Sequence, residues 1–99
     1  MDGKIKYLIN YPKDAIISRR LLSSSKKDLT LFCMAKGSKI SEHTSTKKLF
    51  LYVIEGKGIF YTKGRKIPMV PGTYIQLGKK IKHSLKVIEN TSFMLFLSD

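Results

Sequence analysis

Two histidines, His43 and His83, and one cysteine, Cys33, are the side chains of this 99-residue chain best suited to chemistry near neutral pH. Imidazole titrates in that range and serves as acid or base. It also ligates zinc, iron, manganese or nickel through a bare ring nitrogen. Cys33 lies in the apolar run Leu29 to Ala35, with no histidine or second cysteine next to it in sequence to activate the thiol. Such a cysteine is expected to be a small buried residue. A lone cysteine forms no intrachain disulfide, which suits a reducing compartment. Ser84 and Ser92 lack the glycine-flanked elbow of a serine hydrolase, and no glycine cluster follows a phosphate-cradling pattern. The chemistry therefore rests on the two imidazoles and on whatever elements bring them together.

Those elements read as strands. Short runs rich in strand formers are separated by turn residues: 28–35, 39–43, 49–54, 58–62, 65–69, 74–77, 83–88 and 91–97. Residues 15–22 add a further strand, and the first dozen residues resist assignment. Glu55 to Gly58, Lys63-Gly64 and Pro71-Gly72 mark turns, with Gly56 and Gly58 both expected there. Pro68 makes 65–69 an edge strand or a strand end. No window keeps a helical period for two turns, so the fold class is all-β, a sandwich or barrel. Strand parity supplies a candidate pocket wall. If Leu49 points inward, so do Leu51 and Val53, while Phe50, Tyr52 and Ile54 point outward. The outward set needs a cover, either a second copy in a homodimer or residues 7–17 of the same chain.

The spacing of these residues resembles the cupin superfamily. Gly37, His43 and Gly56 fit its first motif over about residues 37–56, with Ser45 where the motif has a second histidine and Leu49 where it has a glutamate. Gly72 and His83 fit the second motif over about residues 72–87, with Gly78, Lys80 and Val87 at its proline, glycine and asparagine positions. The stretch Ser41 to Ser45 is like that of small single-domain cupins, and the resemblance is strongest over residues 28–97. It implies a cupin-type jelly-roll barrel of mostly antiparallel short strands, a double-stranded β-helix, spanning 1–99 as one domain. It also implies inward-facing motif residues that hold a divalent metal, and a homodimer. Only His43 and His83 match the ligand positions. Two imidazoles fall short of the three protein ligands a catalytic metal site normally offers, Ser45 is a poor ligand at neutral pH, and Leu49 cannot ligate. Glu42, next to His43, is aimed by parity at the opposite face. The expected pocket thus comprises His43, His83, Ser45, Leu49, Leu51 and Val53: apolar walls around two imidazoles.

Nineteen Lys and Arg against seven Asp and Glu give a net charge of +12, carried by sixteen lysines and three arginines. No arm or tail concentrates it. The pairs Lys26-Lys27, Lys47-Lys48 and Lys79-Lys80 fall in expected loops, which suggests a lysine-coated surface rather than a nucleic-acid reader. The longest apolar run, 49–54, is far shorter than the roughly 18 residues that span a bilayer, and the opening residues have no signal-like hydrophobic stretch. The expectation is a cytoplasmic protein with no membrane partner. Its first expected function is a small-molecule binding module, with weak metal binding through the two histidines as a variant. The alternatives are a metal-dependent enzyme of oxygenase or isomerase type, and a basic accessory protein on nucleic acid.

Overall fold

Alternating β-branched and aromatic residues, broken by glycine and polar turns, build nine strands in the computed structural model, which describes residues 2–99. They are β1 (Ile16–Ser23), β2 (Lys27–Met34), β3 (Lys39–His43), β4 (Lys48–Glu55), β5 (Gly58–Thr62), β6 (Arg65–Met69), β7 (Tyr74–Leu77), β8 (His83–Val87) and β9 (Thr91–Ser98). The sole helical element among the described residues is one 3-10 turn at Ile5–Tyr7, inside the stretch the sequence left unassigned. No helix of the described residues is long and apolar enough to cross a membrane.

The strands form two antiparallel sheets, a five-stranded one ordered β1-β2-β9-β4-β7 and a four-stranded one ordered β3-β8-β5-β6. They close on a core that includes Met34, Leu51, Val53, Phe60, Met69 and Phe93. This is the jelly-roll arrangement the motifs imply. β6 lies at a sheet edge, where Pro68 has no ladder hydrogen bond to lose.

β4 divides its apolar run as parity requires. Leu49, Leu51 and Val53 are buried, while Phe50 and Tyr52 remain 39% and 45% exposed. The register Leu49–Leu97, Leu51–Leu95 and Val53–Phe93 extends the inner row onto β9. Gly56 closes the β4–β5 turn at φ +108°, and a Cβ there would run into the carbonyl of Asn90 and into Thr91. Gly58 departs from its expected turn role. It opens β5 in extended backbone, and a Cβ would lie 2.7 Å from the Lys86 carbonyl, so close strand approach explains the glycine.

Part of the outer face of the larger sheet is covered from within the chain. The Tyr11 hydroxyl donates to Glu55 Oε2 at 2.9 Å, and burial followed by the nearby carboxylate pushes its pKa up to about 12. Cys33 and Ser92, which lie beside Tyr11, are 1% and 0% exposed. Cys33 is thus the buried free thiol expected of it. The lysine pairs only partly occupy loops: Lys27 and Lys48 open strands β2 and β4, whereas Lys79 and Lys80 sit in the β7–β8 turn.

Candidate functional site: a cavity with two histidines

An extra residue in β3 aims the first histidine. Ile40 pairs with Leu85 and His43 with His83, so the β3 backbone bulges between Ile40 and His43. Unbroken alternation from Ile40 would send His43 outward. The bulge instead brings Ile40 and His43 onto one wall. Glu42 is left on the other side, in a surface groove with Tyr61 and Lys82, as parity predicts. His83 comes from the start of β8, where the alternation His83, Leu85, Val87 faces the core.

The two rings meet edge to face, with centroids 4.3 Å apart and planes 61° apart. His83 also stacks on Phe60, with centroids at 5.7 Å and planes 9° apart. It is 5% exposed, whereas His43 is exposed at the rim. Each imidazole is clamped in the same way: Nδ1 of His43 lies 2.8 Å from the Ser41 carbonyl, and Nδ1 of His83 lies 2.8 Å from the Ile81 carbonyl. A carbonyl can only accept, so in the neutral ring the proton sits on Nδ1 and Nε2 keeps its lone pair. Among the described residues neither Nε2 has a hydrogen-bond partner. Burial lowers the pKa of His83 against the opposing bond to Ile81, and His43 beside it lowers it further. His83 is therefore a neutral hydrogen-bond acceptor at pH 7.

The space they border has two parts. The inner cavity, about 200 Å³, has walls that include Phe32, Leu51, Phe60, Leu85, Phe93 and Leu95. The outer part, about 400 Å³, opens past Leu97 and the Thr44–Thr46 loop, and the two share His43, His83, Leu49 and Leu95. Of the six residues expected from sequence, His43, His83 and Leu49 border both parts. Leu51 lines the inner part and Ser45 the outer. Ser45 Oγ accepts from the Lys47 N–H at 3.1 Å, and its carbonyl accepts from Lys80 at 2.7 Å, which ties the loop to the β7–β8 turn. Val53 lies in the core and lines neither part. The aromatic walls Phe32, Phe60 and Phe93 were missed. Parity within β5 and β9 marks Phe60 and Phe93 as inward, but only the pairing of the strands shows that they line one space with the histidines.

A divalent metal of the kind the motifs imply does not fit this donor set. Two imidazole nitrogens converge where at least three protein ligands are usual, and no group of three or more His, Cys, Asp and Glu among the described residues could hold a metal.

A two-sheet antiparallel barrel with imidazoles from β3 and β8 in its mouth is the class of fold these observations define. The model of the Cupin domain matches residues 30–98, and the chain belongs to that family. Among solved structures it is similar to a conserved Streptococcus pyogenes protein of unknown function (TM-score 0.91, 19% identity, covering 100% of this chain and 87% of that one). It is also similar to a cupin superfamily protein from Desulfitobacterium hafniense (TM-score 0.89, 18% identity, 93% and 84% covered). A third likeness is to a Cupin 2 conserved barrel domain protein from Leptotrichia buccalis (TM-score 0.88, 22% identity, 95% and 46% covered). At these identities the likeness shows the fold alone. No curated protein matches the chain significantly in sequence.

Proposed function

We propose that this cupin is a small-molecule binding module whose ligand has a single-ring-sized apolar body and a hydrogen-bond donor. One observation carries the proposal: two imidazoles, each with Nδ1 tied to a carbonyl two residues back and with no partner for Nε2 among the described residues, border a cavity that is otherwise apolar. Apolar cavities of about 150 Å³ take a benzene-sized molecule, and this inner space is somewhat larger. Binding requires no metal. Phenol is a suitable probe, because its ring matches the walls and its hydroxyl donates to a neutral imidazole. Titration of the protein with phenol, followed by imidazole ¹⁵N shifts, should move the Nε2 resonance of His83 before any other. A saturating response that leaves both histidines unmoved counts against the site. A metal-dependent enzyme remains the competing function, and metal analysis of the purified protein separates the two. Stoichiometric metal lost on His43→Ala would refute the metal-free proposal.

We also infer a homodimer through the uncovered part of the larger sheet. Two outer rows cross that sheet in register: Leu22, Leu29, Phe96, Phe50 and Gln76, then Arg19, Leu31, Met94, Tyr52 and Tyr74; Leu31 is already buried within the chain, and Leu22, Phe50, Tyr52 and Tyr74 are the exposed apolar members. Phe50 stacks on Tyr74 with centroids at 5.9 Å, and Tyr74 is 67% exposed. On a protein of charge +12, two rows with Arg19 as their one charged residue favour a second copy, since self-association elsewhere brings lysines together.

A further inference from the structure

The outer face of the smaller sheet has the opposite character. One row in register runs Lys39, Lys86, Ile59 and Pro68, and the next runs Ser84, Tyr61 and Lys66. Lys63, Arg65 and Lys82 gather at one end, where they line an open groove of about 500 Å³ with Tyr61 and Glu42. The six cations are exposed. The two ion pairs among the described residues, Arg20–Asp28 and Lys47–Asp99, involve none of them. Lys39 and Lys86 stand directly opposite each other on adjacent strands, where like charges destabilise a sheet. The fold gains nothing from this placement, and a bound polyanion would relieve it. Six of the nineteen lysines and arginines, drawn from four separate stretches of the sequence, are thus brought onto this one face, while the others are spread over the rest of the surface.

We propose that this face binds single-stranded nucleic acid without sequence preference, its lysines meeting phosphates and Tyr61 offering a ring on which a base stacks. This face is built of strands alone and presents no helix to enter a duplex groove. Its cations are lysines apart from Arg65, and lysine neutralises phosphate as a point charge, without the bidentate fit that reads a base. An aromatic side chain amid cations suits single strands better than an acidic protein, because every base has a face to stack. The surface is distinct from the histidine cavity and does not depend on what that cavity holds.

The test is fluorescence anisotropy with a labelled oligothymidylate of about 15 nucleotides, with heparin as a base-free polyanion. If about four phosphates are neutralised, affinity should fall about 50-fold between 50 and 200 mM salt. Lys66→Glu with Lys86→Glu should weaken binding tenfold or more and flatten the salt slope. Lys26→Glu with Lys27→Glu, the same charge change on the other sheet, should cost less than about threefold. Tyr61→Ala should weaken oligothymidylate binding fivefold or more and leave heparin binding unchanged, while Tyr61→Phe, which keeps the ring, retains both. Thermal melts confirm that each variant is folded. Absence of binding at 50 mM salt overturns the proposal, as does equal loss for the two double variants. Indifference of oligothymidylate to Tyr61→Ala also overturns it and identifies a general polyanion surface instead.

Discussion

Replacing phenol by toluene as the probe removes one hydrogen-bond donor and keeps the ring and its volume. The cavity should discriminate strongly between them. His83 is 5% exposed and neutral, its Nδ1 is committed to Ile81, and its Nε2 has no partner among the described residues. When toluene displaces water from the cavity, that nitrogen loses its donor and gets none back. A buried acceptor left unpaired costs about 1–3 kcal/mol, so toluene should bind about 5- to 160-fold more weakly than phenol. His43, exposed at the rim, keeps access to water, and its contribution should be about twofold. Competition calorimetry or ligand-observed NMR measures the ratio, and millimolar affinity corresponds to only about −4.1 kcal/mol, well within reach of a seven-atom ligand. His83→Leu should abolish the discrimination while leaving an apolar cavity that still admits toluene. His43→Ala should leave most of it. Equal affinity for the two probes in the wild type, or selectivity that survives His83→Leu, would refute the assignment of His83 Nε2 as the ligand's acceptor.

Three further outcomes are expected. Stability should fall on acidification through the window that His83 controls. Its folded-state pKa lies below the ordinary 6.5, so the unfolded chain binds the proton first, and the stabilisation is complete above about 6.5 and is lost as pH falls through the lowered value. Thermal melts from pH 8 to pH 5 should show this slope, reduced in His83→Gln; an unchanged slope would locate the effect elsewhere. Gly56→Ala combines positive φ with a clash against Asn90 and Thr91 and should cost about 3 kcal/mol or more in urea unfolding. Gly64→Ala, at φ +72° in open space, should cost about 1–2 kcal/mol, and equal costs would remove the steric explanation. Phe50→Lys with Tyr74→Lys should yield a monomer by size exclusion with light scattering, and a persisting dimer would exclude the larger sheet as its interface.

The fold was largely legible because its signals are local. Turn glycines and period-two alternation fixed the strands, and the spacing from Gly37 to Gly56 and from Gly72 to His83 fixed the family. The site was legible only in part. Leu49 and Leu51 follow from parity within a single strand, but Val53 obeys the same parity and lies in the core without lining the cavity, although its cross-strand partner Phe93 does line it. Phe60 is brought against His83 by the pairing of β5 with β8, and Phe93 onto the cavity wall by the pairing of β4 with β9, which no local window contains. The basic face was hidden for a related reason. Its lysines come one apiece from β3, β6 and β8 and from the β5–β6 and β7–β8 turns, so no segment looks basic until the strands lie side by side.

What the cavity is for turns on a contrast between the two nitrogens of each ring. A histidine kept only for packing would have both nitrogens satisfied, or would be replaced by an apolar residue of similar volume with no loss. Here Nδ1 is fixed on both rings by the same geometry, two residues back along the chain, and Nε2 has no partner on either among the described residues. The bulge in β3 exists at the point where it turns His43 into the cavity, and an extra residue in a ladder costs pairing that the fold must recover elsewhere. Leu49 and Ser45 stand at the motif's glutamate and second-histidine positions and supply no donors for a resident metal, while both imidazoles are clamped in one orientation. Leu49 borders both parts of the space, so apolar wall stands where the motif has a carboxylate. Two clamped imidazoles beside an apolar chamber are the arrangement on which the proposed recognition of a donor-bearing ring rests.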